Sequence, residues 1–321
     1  MINNMGYACI NMQLNDPKNY GANKKATRVT TNRTMIKRTF KERGIEYASQ
    51  LALQNCKDLD TIVRWNKANG FDFFRTSSDI FPWASEYSLT SLPDYDKIEE
   101  ILFNTGVFVE ENGMRITSHP GPFNKLTSPR EQVILNTIKD LETHGELFDL
   151  LCLPRSPYAK INIHVGAHYN NRRMALDNFC KNFERLSDSV RYRLTVENDD
   201  KASLYSTKEL YDEVFSRIGT PIVHDYHHHG FCTGELSQKD AVILAASTWG
   251  DVIPVMHYSE SRRDEQGDPK LKPQAHSDYV YNKIDTYGVD IDIMVEAKMK
   301  ELAVLRYKEL HDECPRSALV A

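Results

Sequence analysis

Four of the chain's eleven histidines stand together in His224-Asp225-Tyr226-His227-His228-His229-Gly230. Imidazole nitrogens interleaved with carboxylate oxygens suit Zn2+, Mn2+ or Fe2+ better than Ca2+ or Mg2+. The same residue types recur where short apolar runs end. His119 closes "MRITSH" (114–119), Asp225 closes "PIVHD" (221–225), His257 closes "DVIPVMH" (251–257) and Asn11 closes "MGYACIN" (5–11). His164 lies in "INIHVG" (161–166), Glu197 in "YRLTVEN" (192–198) and Glu296 in "IDIMVEA" (291–297). A lone histidine is ordinarily a hydrogen-bonded core residue. Three histidines, two glutamates and an aspartate in one partly desolvated place are costly unless cations neutralise the carboxylates and take up the imidazole lone pairs. The donors exceed what one tetrahedral ion needs, so two or three ions are expected. Such a site can generate a nucleophile from water and stabilise a departing oxygen, as in phosphodiester hydrolysis. A sugar isomerase or epimerase could use similar donors for proton or hydride shifts.

These residues converge only if the runs are strands of one barrel. Together with "FDFFRT" (71–76) the runs number eight, and amphipathic stretches such as "CKDLDTIVRWNKANG", "DYDKIEEILFNTG" and "REQVILNTIKDLETHGELFDLL" separate them, several closed by glycine. Eight βα units predict a (β/α)8 TIM barrel, an α/β fold occupying 1–321 as a single domain. The extra length falls after strands one, two, three and seven, at about 12–45, 77–93, 120–129 and 258–276, giving long loops on the C-terminal face, where barrels place their chemistry. No glycine-rich phosphate fingerprint follows the first strand, which disfavours a doubly wound sheet. Strand alternation sends His224 and Asp225 to opposite faces: Asp225 to the mouth, His224 to the helix side as a packed residue. His227 and His229 then stand behind the ligands or face the substrate.

The composition, 40% hydrophobic and 26% charged, is that of a globular enzyme. No apolar run approaches a membrane span, and no signal-peptide pattern is present, so an intracellular protein with no membrane partner is expected. The six cysteines lack CxxC spacing and read as reduced thiols. Net charge is −5, yet residues 1–44 carry nine Lys/Arg against two acids. That local excess is either a solvated face or a phosphate-contacting surface.

Several motifs in order, "MGYACIN", "TTNRT" (30–34), "GFDFFRTSSDIFPWAS" (70–85), "SHPGPF" (118–123), "INIHVG", "LTVENDD" (194–200), "PIVHDYHHHG" and "DIMVEAKMKE" (292–301), resemble the ultraviolet damage endonucleases. The resemblance runs from about residue 5 to 301. It implies an endonuclease IV-like barrel that uses up to three divalent metals, most simply Mn2+ with Zn2+ or Mg2+ as alternatives. It also implies a nick in UV-damaged double-stranded DNA immediately 5′ of cyclobutane pyrimidine dimers and 6-4 photoproducts, leaving a 3′-hydroxyl and a 5′-phosphate. No obligate protein partner is implied.

Carried over by position, the metal ligands are His119, His164, Glu197, Asp225, His228, His257, His276 and Glu296, with His228 and His276 supplied by the resemblance alone. Glu86 stands where the family has a further histidine and is a candidate ninth ligand. Val255 stands where some members have a lysine. Tyr7, Thr31, Asn32 and Arg33 are expected at the DNA, Asn11 and Lys298 at the scissile phosphate. Pro122 and Phe123 replace the family's Gln-Tyr pair, Phe123 keeping an apolar wedge. These departures leave a lesion-binding protein with impaired cleavage as one alternative. A sugar isomerase is another, with no use for "TTNRT" and a nearly flat salt dependence of DNA binding.

Overall fold

The computed structural model describes residues 1–16, 18 and 28–311. Lys24, Lys25 and Cys314 lie outside them. Eight parallel strands run in chain order: β1 Ile2–Ala8, β2 Phe73–Thr76, β3 Arg115–Ser118, β4 Ile161–His164, β5 Leu194–Glu197, β6 Ile222–Val223, β7 Val255–Tyr258 and β8 Ile291–Val295. Each pairs with its chain neighbour from β1 to β6, and β8 lies between β1 and β7. A parallel bridge between Asp225 and His257, with the His257 amide donating to the His224 carbonyl at 3.0 Å, closes the ring between β6 and β7. The fold is the expected (β/α)8 TIM barrel.

The principal helices are α1 Lys37–Ala68, α2 Tyr95–Glu111, α3 Glu131–Leu150, α4 Arg172–Phe183, α5 Thr207–Leu210, α6 Gln238–Ala246 and α7 Glu301–Leu310. Helix α5 continues through a π turn, Tyr211–Phe215, into Ser216–Ile218. Three expectations shift. Strand β1 begins and ends three residues earlier than its apolar run, because Asn11 caps a short helix, Met12–Asn15, instead of closing the strand. Helix α1 begins at Lys37, inside the expected loop, and passes a break at Gly44, where φ is 66°. Helix α2 runs through Gly106, which is there for space: a Cβ would stand 1.9 Å from the Leu151 carbonyl oxygen of the α3 end.

Strand alternation divides the barrel's contents. Outward residues such as Ile116, Ile161, Ile163, Val196 and Ile293 pack in the main apolar core with helical residues such as Leu59, Ile62, Leu102 and Phe148. Among the residues of the opposite phase, Ala8, Phe73, Val223, Val255 and Met294 form a second apolar cluster with Trp249. Below it, at the N-terminal end, Arg115 is fully buried. Its guanidinium donates to Asp292 Oδ2 and the Ile253 carbonyl at 2.8 Å each, to the Tyr158 carbonyl at 2.8 Å and to the Pro157 carbonyl at 3.1 Å. Asp292 Oδ1 accepts from the amide and side chain of Asn4, both at 3.0 Å. The network joins β1, β3 and β8 to the turns preceding β4 and β7, as a polar floor.

Removing one partner from such a pair leaves a buried charge uncompensated, which costs about 3–5 kcal/mol. Asp292→Ala is therefore expected to lower the unfolding free energy by about that amount in urea denaturation. An unchanged midpoint would mean that the carbonyls alone hold Arg115.

Candidate metal centre

The C-terminal ends of the strands bring the eight expected ligands to one mouth. His164 and Glu197 are the last residues of β4 and β5, His257 lies within β7, and His119 and Glu296 directly follow β3 and β8. Asp225 follows β6, where the Asn198 side chain donates to its carbonyl at 3.1 Å and accepts from its amide at 2.7 Å. Asn198 thereby prolongs the β5–β6 pairing that two-residue β6 cannot supply. Asp225 Oδ1 accepts the His228 amide at 2.7 Å, capping the short helix Tyr226–His229 and folding His228 back over the mouth. His276 joins from the β7–β8 loop through an antiparallel bridge with Ser261.

Glu197, 1% exposed, is the hub. One of its oxygens lies 3.2 Å from His119 Nε2, 3.1 Å from His257 Nδ1 and 3.9 Å from His164 Nε2, and the other lies 3.3 Å from His228 Nδ1. His257 Nδ1 is also 3.2 Å from Glu296 Oε1, and His276 Nε2 is 4.0 Å from Glu296 Oε2. Three overlapping groups have donor atoms within 4.8 Å of one another: His119, His164 and Glu197; Glu197, Asp225 and His228; and Asp225, His257 and Glu296.

Two features make these groups fit metal ions. In four histidines one ring nitrogen is held from outside while the other faces a carboxylate. The outer partners are the Pro120 carbonyl for His119 at 3.1 Å, Asp199 for His164 at 3.3 Å, Lys160 Nζ for His257 at 3.1 Å and Ser259 Oγ for His276 at 2.7 Å. The Pro120 carbonyl, Asp199 and Ser259 Oγ can accept an imidazole N–H, which is how ligating imidazoles are oriented, whereas Lys160 could accept one only as the neutral amine. Moreover, Glu197 Oε1, Asp225 Oδ2 and His257 Nδ1 are buried with no hydrogen-bond partner, and unpaired buried polar atoms are costly.

The protonation pattern points the same way. Burial opposes the charge on Glu197, but His257, His164, His119 and His228 outweigh it and hold the carboxyl well below its usual range. Glu296 is likewise held low against burial, chiefly by Arg75 and His257. Asp225 is pushed up to about 7 by burial, with Glu197 and Glu296 adding to the shift. Protein groups alone do not accommodate three anions here. Burial lowers His257 to about 4, whereas the surrounding carboxylates overcome burial at His228 and raise it to about 11.

Other expected site residues lie apart from the donor groups or have their polar atoms engaged. Glu86 is exposed on a 3-10 turn, Ala84–Glu86, and belongs to none of the donor groups; the ring of strand ends does not reach its loop. Both ends of the Asn11 side chain are engaged, Oδ1 with the Leu14 amide at 2.8 Å and Nδ2 with Tyr7 Oη at 2.9 Å, so Asn11 caps the short helix here. Tyr7 has no exposed surface and donates to Asn66 of α1 at 2.5 Å, which puts it in the strand–helix layer. Thr31 is buried on the Cys9 carbonyl at 3.1 Å, and Arg33 is bound to Asp58 at 2.5 Å. Of that trio only Asn32 is exposed. The basic N-terminal segment is partly spent internally too: Arg43 covers Tyr47, and Arg38 pairs with Glu42 at 3.5 Å.

Other expectations match the geometry. His224 is a packed residue between Thr207 Oγ1 at 2.8 Å and Gln238 Nε2 at 2.6 Å. His229 is buried, and His227 lies against Phe231 and His276. Lys298 is exposed, near enough to His276 to help keep it neutral. Pro122 and Phe123 are exposed on the rim, Phe123 at 89%.

Sequence reasoning missed the supporting residues. Arg75 forms an ion pair with Glu296. Asn162 Nδ2 donates to Glu197 Oε2 at 2.5 Å and its Oδ1 accepts from Thr195 Oγ1 at 2.8 Å. Lys160, fully buried, is lowered to about 7 by burial and by Arg75. Lys160 and Asn162 share the inward face with His164 at spacings of four and two, so period-two counting could have found them.

The profile of the UV-endonuclease UvdE family matches residues 3–316. The chain belongs to that family. It is 34% identical to the UV-damage endonuclease of Schizosaccharomyces pombe over 326 residues, covering 97% of this chain and 52% of the relative. It is 30% identical to the UV DNA damage endonuclease of Clostridium perfringens over 288 residues, covering 87% and 67%. The chain thus spans about half the length of its fungal relative. The crystal structure of SacUVDE superposes with a TM-score of 0.80 at 30% identity, covering 97% of this chain and 98% of that one. A D-tagatose 3-epimerase-like protein shares the fold alone, at a TM-score of 0.52 and 14% identity over 75% of this chain and 88% of that one.

A ligating histidine must be neutral, and in the metal-free protein His228 is protonated at pH 7 because its pKa stands near 11. Metal uptake at pH 7 is therefore expected to release at least one proton, and apparent affinity to rise roughly tenfold per pH unit per proton released. Titration calorimetry in buffers of differing ionisation enthalpy measures it. Zero release would remove His228 from the ligand set.

Proposed function

We propose that the chain is a metal-dependent DNA repair endonuclease that nicks duplex DNA immediately 5′ of cyclobutane pyrimidine dimers and 6-4 photoproducts, leaving a 3′-hydroxyl and a 5′-phosphate. The observation that carries this reading is the ring of histidines around three carboxylates, Glu197 and Asp225 buried and Glu296 partly so, beside the loop that carries the exposed Phe123. The family membership supports the choice of substrate, and an intracellular location follows from it.

His119, His164, Glu197, Asp225, His228, His257, His276 and Glu296 would hold two or three divalent ions, Mn2+ foremost, with Zn2+ or Mg2+ as the other candidates. When bound, the ions supply an activated water and neutralise charge gathering on the phosphate oxygens. The protein's part is to hold the site rigid. Asn162, Lys160, Asp199 and Ser259 fix the donors, and Arg75 keeps Glu296 ionised against its burial. Lys298 offers an exposed ammonium to the phosphate, and Asn32 an exposed amide to the backbone. The ligand-lined cavity, about 770 Å³, also takes in Pro120, Gly121 and Pro122. It shares Gly121 and Pro122 with the cavity lined by Phe123, which can enter a duplex and replace extruded bases.

Two of the departures from the family pattern leave the eight candidate donors in place. Glu86 lies apart from the donor groups, and Val255 is wholly buried in the inner apolar cluster, so neither subtracts a donor from the eight.

His164→Ala is expected to reduce nicking of irradiated plasmid with Mn2+ by at least about a hundredfold while the circular dichroism spectrum is retained. Full activity would refute the site, and wild-type binding to a dimer-containing duplex without a nick would favour a lesion-binding protein. For Phe123→Ala, the ratio of affinities for dimer-containing and undamaged duplexes is expected to fall about tenfold or more, since wedge contacts are made only where bases are displaced. An unchanged ratio in fluorescence anisotropy would remove Phe123 from lesion sensing.

A further inference from the structure

Lys125 sits two residues beyond Phe123, on the loop between β3 and α3. It lines both the cavity over the metal donors, with His119, His164 and Glu197, and the neighbouring cavity around Phe123, with Asn124, Arg130 and Tyr169. Gly121 and Pro122 are the other residues of its loop shared by both. Lys125 therefore stands on the partition between the metal mouth and the wedge.

Its backbone is fixed. The Lys125 amide donates to Thr137 Oγ1 at 3.0 Å, the Ser128 amide donates to the Lys125 carbonyl at 3.2 Å, and Asn124 beside it donates to Asp140 at 2.7 Å. Its ammonium passes close to Gly166, just beyond β4. A Cβ at Gly166 would lie 2.3 Å from Nζ and 3.2 Å from Cε, so the ammonium lies against this backbone, whose φ of +77° is what favours glycine. Gly166 and the half-buried lysine line the same mouth.

Among the described residues Nζ has neither a hydrogen-bond acceptor nor a carboxylate within ion-pair distance. The anion that most favours its charge, Asp199, already uses Oδ1 on His164 Nδ1 at 3.3 Å and Oδ2 on the Tyr205 amide at 3.2 Å. Lys201, exposed on the same cavity, adds a second positive charge that weakens the ammonium further. An ammonium paid for in burial and left without an anion is a site for one that arrives with the substrate.

We infer that Lys125 binds a non-scissile phosphate of the damaged strand, holding the backbone between the Phe123 wedge and the metal donors. The inference rests on the endonuclease reading above and adds a residue to it. Lysine serves here as a point charge, without the bidentate geometry of arginine. It therefore sets affinity and register, not base sequence. The contribution is uniform binding, expressed in KM more than in kcat.

The test is Lys125→Gln, which keeps most of the side chain's length and removes its charge, with Lys125→Arg as the charge-retaining control. Binding of a dimer-containing duplex is followed by anisotropy from about 50 to 200 mM salt. One lost phosphate contact lowers the magnitude of the slope of log Kd against log salt by about 0.9, so the affinity deficit of Lys125→Gln should be about threefold larger at the low end than at the high end. KM for nicking should rise with kcat within about twofold, Lys125→Arg should restore the slope, and Mn2+ content should equal that of wild type. A slope unchanged from wild type in a folded, metal-loaded Lys125→Gln overturns the inference while leaving the endonuclease reading intact. A wild-type protein that neither binds nor nicks the duplex overturns both.

Discussion

A carboxylate buried like Glu197 keeps its charge only where positive groups or donors surround it, and much of the barrel's upper half is arranged to provide them. Four histidines on β3, β4, β7 and the exit of β6 approach its two oxygens. Asn162 donates to it from the layer beneath. The closure of the barrel depends on the same place, since β6 has only two residues and the ring is completed by a bridge between Asp225 and His257. The contact that shuts the barrel therefore joins two of the candidate metal donors. Chemistry and closure are set by one constraint, and neither strand end can move without disturbing the other.

The opposite end of the barrel solves a similar electrostatic problem without a metal. Arg115 and Asp292 are as buried as Glu197, but each is satisfied by protein partners, through three carbonyls on one side and Asn4 on the other. The upper carboxylates have no such completion: Glu197 and Asp225 each keep one oxygen unpartnered. The contrast distinguishes a polar cluster completed within the protein from one whose donors could hold a cation. It follows the usual division of a barrel into a stabilising N-terminal face and a reactive C-terminal one.

Burial also sorts the residues assigned to DNA. Tyr7, Thr31 and Arg33 have the right types, but their polar atoms are spent on Asn66, Cys9 and Asp58. Phe123 has no such engagement and projects from a loop that Asn124 and Lys125 tie to α3. The loop backbone is tied down while the aromatic ring it carries stays exposed, so under the proposed function little backbone freedom would be lost on insertion into a duplex.

The alternation of apolar runs and amphipathic stretches determined the barrel, and polar residues at the C-terminal ends of the runs determined six of the eight donors. Period-two counting even separated Asp225 from His224, because the two faces of a strand are set by local geometry. What remained hidden depends on contacts between residues distant in sequence. His276 reaches Glu296 only through its loop's bridge to Ser261, and Lys160 meets His257 across the barrel interior, 97 residues away. The boundary of β1 was misplaced because an apolar run looks the same whether it ends as a strand or as the lead-in to a capped helix turn. Glu86, Asn11 and Tyr7 show the limit most directly. Residue type and position made them candidates, but whether a polar atom faces the mouth or is already taken is decided by the packed neighbours that only the folded chain supplies.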